Sequence, residues 1–99
     1  MESLEISFRN AVRGSVKIQC KLIMNAGEPS IQAKKRWKFE NSADWHYGHF
    51  VGMMEALASS TYFTFFGKPI GEEKMKEVEE IIEEESKELR EYFKKNFKE

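Results

Sequence analysis

Leu4-Glu5-Ile6-Ser7-Phe8-Arg9 alternates apolar and polar residues without a break, and Val16-Lys17-Ile18-Gln19-Cys20-Lys21-Leu22 repeats the pattern. Successive side chains of a strand point to opposite faces, so a period of two predicts half-buried strands. In the first run Leu4, Ile6 and Phe8 oppose Ser3, Glu5, Ser7 and Arg9. In the second, Val16, Ile18, Cys20, Leu22 and Met24 oppose Lys17, Gln19 and Lys21. Asn10 to Gly14 reads as the turn between them. Asn25-Ala26-Gly27-Glu28-Pro29 reads as the next turn, because glycine accepts positive φ and proline cannot donate to a ladder. A third alternation sets Ile31, Ala33, Trp37 and Phe39 against Gln32, Lys34, Arg36 and Lys38. Short connections favour antiparallel neighbours, so a three-stranded antiparallel meander is expected over residues 1–40.

Downstream the period changes. Asn41-Ser42 opens a helix with Asp44 in its first turn, where a carboxylate suits the positive end of the dipole. Tyr47, Phe50, Val51, Met54, Leu57, Ala58 and Phe65 share one broad face at helical spacing. Another face is small: Gly48, Gly52, Ala56 and, a turn on, Ser59 and Ser60. Two internal glycines cost roughly 1 kcal/mol each relative to alanine, and close approach of another element is the expected compensation. Thr61-Tyr62-Phe63-Thr64-Phe65-Phe66 is rich in β-formers and reads either as the helix end or as a short fourth strand. Gly67-Lys68-Pro69 ends whichever it is.

From Gly71 the sequence predicts one long charged helix with an apolar stripe of Met75, Val78, Ile82, Leu89, Phe93 and Phe97. Glu72 and Glu73 stand at its start and Lys94, Lys95 and Lys98 at its end, as the dipole prefers. Glu72–Lys76, Glu83–Lys87 and Glu91–Lys95 form i,i+4 pairs in the better order. A helix over residues 71–97 would be about 40 Å long, against a radius of gyration of about 13 Å for a compact domain of this size. It would overrun its own domain and leave Phe93 and Phe97 for a second subunit to cover. The expected fold class is therefore α+β, one domain over residues 1–99: meander 1–40, aromatic and glycine-containing helix 42–66, charged helix 71–97.

The chain has 99 residues, 16 Lys plus Arg against 17 Asp plus Glu, and a net charge of −1. That length excludes a barrel of the usual size and a two-domain dinucleotide enzyme. Apolar residues at 40% exclude a disordered chain. The first fifty residues are basic on balance and the remainder acidic. Cys20 is the single cysteine, which rules out an internal disulfide and suits a reducing compartment. Met1-Glu2-Ser3-Leu4-Glu5 lacks the basic start of a signal peptide, and the apolar stretch from Trp45 to Gly67 is too polar for a membrane span. A cytoplasmic protein that does not enter membranes is expected.

The sequence holds no phosphate loop, dinucleotide fingerprint or nucleophile elbow, and no catalytic residue, cofactor or metal is expected. Glu55, on the small-residue face, reads as a surface glutamate bonded to a hydroxyl or a lysine. His46 and His49 stand at i,i+3 but lack a third ligand placed by the sequence. On the meander, Arg9, Lys17, Lys21, Lys34, Arg36 and Lys38 share the polar sheet face and could track phosphates, although lysines on exposed strands also serve to block edge-to-edge pairing. Trp37 and Phe39 have the wrong parity to stack bases there.

The 99-residue length, the bias to Glu and Lys, the lone cysteine, the strands up to Phe39, the aromatic and glycine run Trp45-His46-Tyr47-Gly48-His49-Phe50-Val51-Gly52 and the final charged helix resemble small proteins of the lipothrixvirus and rudivirus families. These viruses infect hyperthermophilic archaea. The resemblance implies heat and acid resistance, an unusual fold and no assigned activity, and it carries over no functional residue. The functional expectation is a small, hyperthermostable, non-enzymatic interaction protein, a viral accessory factor acting in its host, homodimeric through Gly48, Gly52, Ala56, Phe93 and Phe97, with an unidentified protein partner. The alternative is a nucleic-acid-binding module using the basic face.

Overall fold

A computed structural model describes residues 3–26 and 42–96, and these form four α-helices with no strand among the described residues. Helix α1 spans Leu4–Ala26, α2 Ser42–Phe66, α3 Glu72–Glu85 and α4 Lys87–Asn96. The α+β expectation is overturned. Both predicted strands before residue 25 lie in α1, and the turn at Asn10 to Gly14 is its middle. The third predicted strand falls outside the described residues.

The reason is that α1 satisfies a helical period as well as a period of two. Phe8, Val12, Val16 and Cys20, at i,i+4 spacing, are its buried residues. Val12, which the turn reading left without a role, is one of them. A helical start signal was also present. Ser3 accepts a hydrogen bond at its side-chain Oγ from the Ile6 backbone N–H at 3.1 Å, an N-cap, and Glu5 stands in the first turn.

The second helix runs to Phe66, so the β-forming stretch after Ser60 is helical. Thr61 and Thr64 bond their hydroxyls back to the Leu57 and Ser60 carbonyls at 2.9 and 3.1 Å, which accommodates them in a helix. Gly67 ends it at φ 70°, with its N–H on the Phe63 carbonyl at 2.8 Å.

The predicted single helix over 71–97 is two helices. Ser86 lies between them and is fully buried. Its hydroxyl donates to the Ile82 carbonyl at 2.5 Å and so accepts from the Tyr47 phenol at 3.0 Å. A serine bonded back to i−4 interrupts the regular helix, and here α3 ends and α4 begins on either side of it.

Side-chain contacts set the directions. Phe8 meets Tyr62, Phe65 and Phe66 edge-on at 5.3 to 6.3 Å, so α1 and α2 are antiparallel. Tyr47 meets Ser86 and His46 meets Phe93 at 5.5 Å, so α3 and α4 also run against α2. The result is an up-down-up bundle of three rods, the third jointed, measuring 47 × 22 × 19 Å. Its core is Phe8, Val12, Val16 and Cys20 from α1; Phe50, Met54, Ala58 and Tyr62 from α2; Val78, Ile81 and Ile82 from α3; and Leu89 and Phe93 from α4. The third rod does not overhang, because its two neighbours are as long. Phe93 is 2% exposed within its own chain and needs no second subunit. Phe97 lies outside the described residues.

Candidate functional site

The basic residues of α1 recur at i,i+4, as Arg9, Arg13, Lys17 and Lys21, and form a helical stripe instead of a sheet face. The stripe meets the acidic α3. Arg9 pairs with Glu77 at 3.0 Å, Arg13 with Glu85 at 2.6 Å and Glu84 at 3.3 Å, and Lys17 with Glu85 at 3.8 Å. Lys74 bridges Glu5 at 2.6 Å and Glu77 at 2.7 Å, and the network holds the Glu77 carboxyl below its usual range, through Lys74 first. Lys21 lines a groove with Glu84, Glu85 and Glu88. The charges proposed to track phosphates are thus drawn toward carboxylates of the same chain. Lys34, Arg36 and Lys38 lie outside the described residues.

Chemical groups give little. Cys20 is buried with its thiol on the Glu85 carbonyl at 3.7 Å, and burial, followed by the Glu85 and Glu88 charges, pushes its pKa up to about 11. A thiol so protonated is a poor nucleophile and a poor metal ligand. Among the described residues no hydroxyl or lysine is bonded to Glu55. It faces Glu79 of α3, and hydrogen bonding to that carboxyl, then burial, pushes its pKa up. His49 stacks on Trp45 at 5.2 Å, and His46 meets the same ring edge-on at 5.0 Å. Among the described residues no three His, Cys, Asp or Glu side chains come together to hold a metal ion.

The surface without an obvious internal purpose is the side of α2 turned away from α3 and α4. In 25 residues α2 carries two formal charges, Asp44 and Glu55, and its apolar residues are spread around the helix instead of gathered on one side. One side packs the core. On the other, His49, Met53, Ala56, Ser60 and Phe63 alternate steps of four and three, the spacing of a helix–helix seam, and all are exposed. Gly48, Gly52 and Ala56 are exposed beside them. A Cβ built on either glycine meets nothing within 4 Å, so among the described residues nothing makes the close approach expected to compensate for them.

The apolar surface continues onto α1. Leu4, Ala11, Ser15, Ile18 and Leu22 form one stripe, and a shallow groove of about 370 Å³ between Gln19 and Met53, Leu57 and Ser60 joins the two helices. Leu4, Ile18, Leu22, Met53, Leu57 and Phe63 are each between 39% and 59% exposed. No described helix is long and apolar enough to cross a membrane. Sequence reasoning marked the small residues of α2 but missed the α1 half, because a strand reading sends Ile18 and Leu22 into a core. Comparison with protein-family profiles, with curated proteins and with solved structures returns no match.

Proposed function

We propose that the protein is a non-enzymatic interaction module whose working surface is the uncharged face shared by α1 and α2. The observation that carries this reading is α2, a helix with two formal charges in 25 residues, of which the described residues cover only one side. Such helices belong in the interior of larger assemblies. Single exposed apolar residues are ordinary; a continuous apolar face along two helices marks an interaction site. The absence of charge along the outer seam of α2 suits a protein partner better than phosphates.

The test is photo-crosslinking in the cell of origin. A benzophenone side chain at Ala56, irradiated in living cells, is expected to give an adduct of discrete mass. The same group at Glu80, on the acidic face of α3, serves as the control. Equal labelling from both positions, or none from either, would refute the reading.

A further inference from the structure

We infer that the occupant of this face is a second copy of the chain, related by a two-fold axis passing near Ala56 on α2 and Ser15 on α1. The inference rests on the reading of the face as an interaction surface and adds the partner's identity.

Three observations lead there. The first is area. Helices of 23 and 25 residues are about 35 Å long and pack about 9 Å apart, so with side chains the face is about 20 Å wide. It offers roughly 700 Å², close to the roughly 800 Å² per partner of a stable interface.

The second is charge. A two-fold contact sets the same patch of both copies together, so a patch dominated by one charge meets its own sign. The outer side of α3, where Glu72, Glu73, Glu80 and Glu83 are exposed beside Lys76, would set an excess of carboxylates against itself. The outer seam of α2 holds no carboxylate, lysine or arginine.

The third is the order of large and small residues. Ser15 and Leu57 line one cleft, which places the middle of α1 level with the middle of α2. The small residues Ala11, Ser15, Ala56 and Ser60 lie around that level. Leu4 and Phe63 stand toward one end, and Ile18, Leu22 and Met53 toward the other. A two-fold axis at the centre brings small against small, where two helices can approach closely. It also sets the Leu4 and Phe63 end of one copy against the Ile18, Leu22 and Met53 end of the other. Gly52 then faces the region of Ser60, and the open space above both glycines is filled by the partner.

The experiment is sedimentation equilibrium at tens of micromolar, read together with binding of the apolar dye anilinonaphthalene sulfonate. The full chain is expected to sediment at twice its 11.7 kDa and to bind little dye. Ala56→Arg puts a cation against its own copy at the axis and should weaken association more than a hundredfold, leaving a helical monomer that binds dye. Because a variant can fail for other reasons, Ala56→Cys supplies a second readout: oxidised with diamide, it should give a disulfide-linked dimer, whereas Glu80→Cys should not. A monomeric wild type that binds dye would overturn the second copy while leaving the interaction surface standing. A monomeric wild type that binds no dye would overturn both. A dimer undisturbed by Ala56→Arg, or one in which Ala56→Cys does not cross-link, would overturn the proposed axis and with it the inference.

Discussion

Ser86 and Tyr47 together hold the joint in the third rod. The serine hydroxyl gives its proton to Ile82 and takes one from the phenol, and Arg90 lies over the Tyr47 ring at 4.9 Å. Ser86→Ala leaves the Tyr47 phenol without this acceptor and is expected to cost about 1 kcal/mol, as is Tyr47→Phe. The double variant should lose less than the sum, because the two residues share one bond. Urea titration of the four proteins checks this, and strict additivity would contradict the network. Glu55 makes the opposite kind of contact. Its carboxyl titrates above the unfolded value because of Glu79, so its stabilising contribution is complete below the unfolded pKa and is lost as pH rises through the folded one. Glu55→Gln is therefore expected to raise Tm at pH 7 by about 2 °C, the scale of a relieved like-charge pair, and to leave it unchanged below about pH 4. Glu77, depressed by Lys74, acts in the reverse sense and loses its contribution as acid is added, so thermal melts against pH should compare Glu55→Gln with wild type only.

Each element shows a different competition between local and tertiary terms. The two halves of α1 alternate as strands do, yet they belong to one run of 23 helical residues because Phe8, Val12, Val16 and Cys20 can all be buried on one side. Gly14 alone opposes that, at a cost near 1 kcal/mol that four buried side chains outweigh. In α2, Gly48 and Gly52 have space around them and ordinary helical backbone. Gly48→Ala and Gly52→Ala should each stabilise the isolated chain by about 0.5–1 kcal/mol, chiefly by restricting the unfolded state. The measurement belongs in the monomeric Ala56→Arg background, where a gain in Tm reports the helix alone. A loss there would mean that some part of this chain already occupies the space.

At the scale of the whole molecule, the register of the bundle sets the basic stripe of α1 against the acidic α3. Glu5–Lys74–Glu77–Arg9 and Arg13–Glu85–Lys17 tie residues far apart in sequence but level in the bundle. Most of these side chains are partly exposed, so each pair contributes about 0–1 kcal/mol and is screened by salt. Raising sodium chloride from low salt to molar strength should lower the Tm of the monomeric Ala56→Arg variant by a few degrees without changing its helical circular dichroism. The same titration on the wild type should strengthen the dimer, whose contact is uncharged along α2. A monomer Tm that rises with salt would show that repulsion along the acidic α3 outweighs these pairs.

Terms carried by neighbours along the chain are legible in the residues alone. Asp44 and Glu72 mark helix starts, Gly67 with Pro69 marks a stop, and the 3.6 period through Phe50, Met54 and Tyr62 marks a helix face. The small-residue line Gly48, Gly52, Ala56 was legible for the same reason. Everything that depends on a second element was settled by packing. Alternation in α1 satisfies two periods, and burial against Tyr62 and Phe66 chose between them. Ser86 is an ordinary helix residue until Tyr47 comes within 3.0 Å of it. The basic residues could face solvent, phosphate or α3, and the register of the bundle sent them to α3. From the length of its own helix alone Phe93 is expected uncovered, and the equal length of the neighbouring helices is what covers it. Local signals act over a turn or two of helix, whereas burial is a property of pairs of elements, and no window along the chain contains the pair.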